Sequence, residues 1–160
     1  MRILIAAIGK LKDGAERELY SRYAGRLAAM SRQAALGPLD LSELPESRAG
    51  SAVERQADEA GRLLKATAKC ELLVALDENG QHFTSPSFAN QLRRHRDQGR
   101  ANVAFLIGGA DGHGADVLNA CEFKLSLSTM TLPHGLARVF LAEQLYRAAT
   151  IITGHPYHRS

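Results

Sequence analysis

The chain has 160 residues, 45% of them apolar and 23% charged. That size suits one domain with a proper core, and no apolar run approaches the ~20 residues that would span a bilayer, which excludes a membrane-spanning helix. A formal charge of +3 with pI near 9.1 is too mild to argue by itself for a nucleic-acid partner.

Arg2 to Ile8 reads as a first strand ending at Gly9; its apolar stretch is too short and lacks the small-residue cleavage site of a signal peptide. Asp13 is placed to cap a helix over about Ala15 to Met30, with Leu19, Tyr23, Leu27 and Met30 on one face. Leu36 to Leu44, closed by Pro45, is a second strand. Ser51 starts a helix to about Ala68, with Ala57, Ala60, Leu64 and Ala68 on one side and Arg55, Asp58, Glu59, Arg62 and Lys65 on the other. Glu71 to Leu76 is a buried third strand, stopped by the turn-forming Asp77-Glu78-Asn79-Gly80. Ser85-Pro86 opens a helix to about Gln98, serine as N-cap and proline in the first turn.

Val103 to Ile107 is a fourth strand, buried on both faces, that stops at Gly108-Gly109. A short helix carries Val117, Leu118 and Cys121. A fifth strand, Phe123 to Leu127, breaks into Ser128-Thr129-Met130-Thr131-Leu132-Pro133-His134. A last helix runs from Gly135 to about Thr153 and ends at Gly154. Apart from the polar strip Glu143, Gln144, Arg147 and Thr150 it is apolar nearly all round, more than packing on one sheet face requires, and a second subunit is the natural cover. Regular alternation of strands and helices predicts an α/β fold with a mainly parallel sheet flanked by helices, in a single domain over 1–160. In such sheets small ligands sit at the carboxyl ends of the strands.

Several chemistries lack their motif. No Gly-x-Gly-x-x-Gly follows the first strand, no Walker pattern occurs, and there is no Gly-x-Ser-x-Gly elbow. His155 and His158 have no third ligand nearby, so no metal is expected. Cys70 and Cys121 read as buried, reduced thiols of a cytosolic protein. The basic run Arg93-Arg94-His95-Arg96 with Arg100 reads as a solvated helix face, with phosphate contact as the alternative. The glycines at 108, 109, 112 and 114 and the tail His155-Pro156-Tyr157-His158-Arg159 remain. The first would let a ligand approach the main chain closely; the second is too rich in functional side chains for a frayed end.

The segments F-L-I-G-G-A-D-G, L-S-L-S-T-M-T-L-P-H and R-V-F-L-A-E-Q-L-Y-R-A, with the terminal G-H-P-Y-H-R, resemble the ribosomal RNA large subunit methyltransferase H family of the SPOUT superfamily. The opening R-I-L-I-A-A-I-G-K and the central L-V-A-L-D-E-N-G also fit. The resemblance implies a cytoplasmic homodimer with a C-terminal trefoil knot and S-adenosylmethionine as methyl donor. It implies as acceptor N3 of a pseudouridine in helix 69 of 23S rRNA, within the assembled 70S ribosome. Carried over by position, it assigns the donor pocket to Leu76, Gly108, Gly109, Ser128, Thr129, Met130, Thr131, Leu132 and Pro133. Removal of the N3 proton calls for a base, a contribution of ~10²–10⁴-fold. His134, Tyr157 and His158 are the candidates, unranked, with Arg159 to stabilise charge on the flanking carbonyl oxygens.

Overall fold

Five short apolar runs form one all-parallel sheet in the computed structural model, which describes residues 1–158. The strands are β1 (Arg2–Ile8), β2 (Leu39–Leu44), β3 (Leu72–His82), β4 (Asn102–Ile107) and β5 (Phe123–Ser126), in the order β2-β1-β4-β3-β5. The helices are α1 (Ala15–Ala34), α2 (Ala52–Ala66), α3 (Ser85–Asp97), α4 (Ala115–Ala120) and α5 (His134–Thr153). Side chains alternate across a strand, and the core divides accordingly. Ile3, Ile5, Val74, Val103 and Phe105 face Leu27 of α1, Leu92 of α3 and Leu145 of α5. Ala6, Ile8, Ala75, Ala104 and Leu106 face Ala60 and Leu63 of α2 and Val117 of α4. Both faces being covered, the central strands are apolar from Ile3 to Ile8, from Leu72 to Leu76 and from Val103 to Ile107.

Several local expectations change. Gly14, not Asp13, is the N-cap of α1, and no side chain bonds there. Ser51 does cap α2, in a reciprocal capping box with Glu54. Thr84 rather than Ser85 caps α3, its hydroxyl accepting the Ser87 N–H at 3.2 Å. Asp77 to Gly80, expected to turn and stop the strand, instead lie within β3 as an irregularity, with the Asn79 N–H donating to Asp77 Oδ1 at 2.8 Å. The chain then rejoins the sheet: Leu76 and Gln81 both pair with Leu125 across a shift of register. Gly80 permits this, because a Cβ there would lie 2.7 Å from the main chain of Leu125.

The largest departures are two charged residues. Glu59, expected on the polar side of α2, is buried, and Arg138 of α5 is the bulkiest fully buried side chain. Arg138 donates to Ile8 O at 2.7 Å and pairs with Glu43 at 3.2 Å. The cover expected from a second subunit is largely supplied within the chain, where α1 and α3 pack along α5. Leu136 and Phe140 remain exposed on that helix. Arg96 and Arg100 are not free: they donate to Ala34 O and Glu71 O at 2.6 and 2.7 Å, leaving Arg93 and Arg94 exposed. Cys70 and Cys121 are free thiols, half-buried rather than buried, and burial pushes the Cys121 thiol up to about 11. Among the described residues no helix is long and apolar enough to cross a membrane, and no group of three or more His, Cys, Asp or Glu could hold a metal.

Candidate active site

The irregular middle of β3, Leu76 to Asn79, and the loops after β4 and β5 enclose a cleft of about 470 Å³, within the range of small-ligand sites. Leu76 and Asp77 form one wall, Gly108 and Gly109 the floor, and Ser128, Met130, Thr131 and Leu132 the facing loop. His134 and Ala137, in the first turn of α5, close an end. Thr129 and Pro133 belong to the same loop without lining the cleft; Pro133 is instead the N-cap of α5. The loop is tied by its own serines: Ser126 Oγ donates to Ser128 O at 3.0 Å, and Ser128 Oγ accepts the Met130 N–H at 2.9 Å. Among the described residues little of that backbone is bonded to anything else, so its polar groups can meet a ligand.

The glycine loop is gripped from behind by one face of α2. Arg55 makes a forked pair with Asp111 at 2.6 and 3.0 Å, and Gln56 Nε2 donates to Asp111 O at 2.6 Å. The pairing lowers the Asp111 carboxyl and raises the Arg55 guanidinium. Glu59, one turn on, stands directly against Gly109: a Cβ there would come within 2.6 Å of Glu59 Oε2. Its φ is not positive; what a side chain there would meet is the buried Glu59 carboxylate. His113 Nε2 meets Leu106 O at 3.1 Å, while its Nδ1 is buried with no partner among the described residues. Burial holds the His113 imidazole below the usual range, against the opposing pull of that carbonyl.

Tyr157 and His158 of the tail do not line the cleft. Tyr157 folds back on α5, its hydroxyl donating to Glu143 Oε1 at 3.0 Å, its ring 4.7 Å from Tyr146 and under the Arg147 guanidinium. Burial, and then the bond to Glu143, push its pKa upward, so the phenol stays protonated. Glu143 and Arg147 form the expected i,i+4 pair at 2.5 Å. His158 has a buried Nδ1 without a partner among the described residues and does not line the cleft. Arg159 lies outside the described residues. The structure thus brings Leu76, the two glycines, most of the serine loop and His134 together, and sets Tyr157 and His158 apart. Asp77, Asp111, His113 and the Arg55-Gln56-Glu59 face of α2 were not among the sequence candidates. The visible signal was Glu59, four residues before Leu63 and therefore on the core face of its helix.

A parallel sheet whose strands and glycine turn border a cleft is an α/β scaffold of the kind that takes small ligands at such a place. The family model described as "Predicted SPOUT methyltransferase" matches residues 1–158. The chain is 46% identical to a "Ribosomal RNA large subunit methyltransferase H" of Xanthobacter autotrophicus over 160 residues, all of both chains. It is 46% identical to one of Allorhizobium ampelinum, with the same full coverage. The fold resembles a probable methylase family protein of Haemophilus influenzae (TM-score 0.53, 14% identity), covering 99% of this chain and 70% of that one. The chain belongs to the SPOUT methyltransferases and, within them, to the ribosomal RNA large subunit methyltransferase H family.

Proposed function

We propose that this protein transfers a methyl group from S-adenosylmethionine to N3 of a pseudouridine in helix 69 of 23S rRNA, acting on the assembled 70S ribosome as a cytoplasmic homodimer with a C-terminal trefoil knot. The supporting observation is the cleft bordered by β3 and the loops after β4 and β5, in a chain aligned end to end with ribosomal RNA large subunit methyltransferases H. Its features suit that donor. Leu76, Leu125 and Leu132 offer an apolar slot for a flat base, the serine loop offers bare main chain to its polar edge, and Gly108 and Gly109 leave room for the amino-acid end. When bound, S-adenosylmethionine supplies a methyl group already activated on a sulfonium sulfur. What falls to the protein is chiefly orientation, worth up to ~7–11 kcal/mol in favourable cases.

His134 is the base candidate already on the cleft wall. Tyr157, protonated and donating to Glu143, is better suited to holding that carboxylate than to taking a proton. His158 and Arg159 would reach an acceptor only from a tail placed beside a cleft, as a second subunit's tail could be. Leu136 and Phe140, one turn apart and exposed on α5, supply an apolar surface for that subunit.

Calorimetry with purified protein should show S-adenosylmethionine binding. Labelled donor should mark 23S rRNA in 70S ribosomes from a strain lacking the enzyme, at a nucleotide that mass mapping places in helix 69. Binding without labelling of such ribosomes rejects the proposed target; absence of binding rejects the donor.

A further inference from the structure

Glu59 is out of place for an ordinary surface glutamate. It is only 5% exposed. Its Oε1 accepts the Ser47 N–H at 2.9 Å, and its Oε2 is buried with no hydrogen-bond partner among the described residues. A buried carboxylate oxygen left unmatched costs free energy, and capping Ser47 needs only the other oxygen. The nearby cation on the same helix, Arg55, is committed to Asp111. What the unmatched oxygen faces is Gly109, and Gly109 lines the cleft. With no side chain at 109, one thickness of main chain separates the carboxylate from whatever occupies that end. The lining itself carries Asp77, Glu78 and Asp111, and no lysine or arginine among the described residues.

We infer that Glu59, with Asp77 in the irregular middle of β3, supplies a negative field that recognises the positive charge of the methyl donor and so favours donor over spent product. This rests on the donor proposed above. S-adenosylmethionine carries a sulfonium, an ammonium and a carboxylate, net positive; S-adenosylhomocysteine keeps only the last two and is neutral overall. Methyl transfer removes the charge: the acceptor nitrogen's electron pair forms the new bond to carbon, the carbon–sulfur pair stays on sulfur, and the nitrogen's proton passes to a base. An attraction present before transfer and absent after it selects the loaded donor and lets the product leave. Through a few ångströms of protein such a field is strong enough to matter, because the backbone between charge and ligand cannot screen it as water would.

The test is calorimetric affinity for three ligands: S-adenosylmethionine, sinefungin (which carries an ammonium where the donor has its sulfonium) and S-adenosylhomocysteine. Glu59→Gln keeps the shape and the bond to Ser47 but removes the charge. It should weaken both cationic ligands by roughly tenfold and leave the thioether within about twofold, while Glu59→Asp largely restores the selectivity. Asp77→Asn, on the open wall, should shift the same ratio in the same direction by a smaller factor. Uniform weakening of all three ligands, or an unchanged ratio in folded Glu59→Gln, overturns the inference and leaves the donor assignment intact. Should Glu59→Gln fail to fold, Asp77→Asn decides: a lowered ratio supports the field, an unchanged one overturns it. If the wild-type protein binds none of the three, it is the donor assignment that fails.

Discussion

The carboxyl edge of this sheet is finished in two different ways. At β1 and β2 it is plugged. Arg138 reaches from α5 to Ile8 O and Glu43, Arg17 pairs with Glu43 at 3.3 Å and also donates to Leu11 O, and Glu43 accepts the Leu11 N–H at 2.5 Å. At β3, β4 and β5 it is open, walled by glycines, short polar side chains and main chain. β1 is the strand from which the order runs both ways, to β2 on one side and β4 on the other. In an open parallel sheet that switch point is the usual ligand crevice. Here Arg138 closes the β1 and β2 side, and the cleft lies toward the other strands. Where side chains saturate the strand ends the edge is closed; where glycines bare the main chain there is a cleft whose loop is held from outside, by α2.

The largest expected effect comes from pulling the plug. Arg138→Met should cost about 3 kcal/mol in urea unfolding, at the lower end for a broken buried pair because Arg17 still serves Glu43. The donor's affinity, measured where the variant remains folded, should change little, because Arg138 does not line the cleft. Next comes the open half. Gly109→Ala puts a methyl 2.6 Å from Glu59 Oε2. It should cost about 1–3 kcal/mol by overpacking and, unlike Arg138→Met, should also weaken donor binding by calorimetry. Glu59→Ala should recover part of the stability loss in the double variant, since the clash is between those two residues; strictly additive losses would show that the loop is not seated on Glu59.

The strands were legible because apolar runs such as Val103 to Ile107 have no other use, and the helices because their apolar spacing and caps, Ser51 above all, are local signals. The serine loop was singled out only through family resemblance, since a Ser-Thr-Met-Thr loop has no physical signature of its own; the structure shows most of it lining the cleft. What stayed hidden was decided by tertiary partners. β3 continues past Asp77-Glu78-Asn79-Gly80 because β5 waits on the other side of the bulge. Arg138 and Glu59 are residue types that normally face water. Arg138 nonetheless stands three, four and seven residues before Leu141, Ala142 and Leu145, all buried, which is core spacing. A charged residue in register with an apolar stripe is the pattern that would have exposed both. Tyr157 looked like a reactive group because nothing local shows that Glu143, fourteen residues earlier, is waiting to accept its proton in a hydrogen bond.

Smaller effects sharpen the claim that α2 is the scaffold of the open half. Ser51→Ala removes the side chain that accepts the Glu54 N–H at 3.2 Å, one turn before Arg55. It should cost about 1 kcal/mol, and amide exchange should quicken first in the opening turn of α2 and in the loop around Asp111 that Arg55 and Gln56 hold. Smallest is the pH dependence carried by His113, which lines the cleft with its pKa lowered by burial from 6.5. The unfolded chain therefore takes up a proton at this site before the folded chain does. Stability from this group is full above about pH 6.5 and is lost as pH falls through the interval between 6.5 and the lower folded value. His113→Gln should remove that part of the slope in unfolding experiments across the interval, while Arg138→Met, at the plugged end, should leave it in place. If both variants flattened it equally, the two halves of the edge would be one electrostatic unit and the division between plug and cleft would not hold.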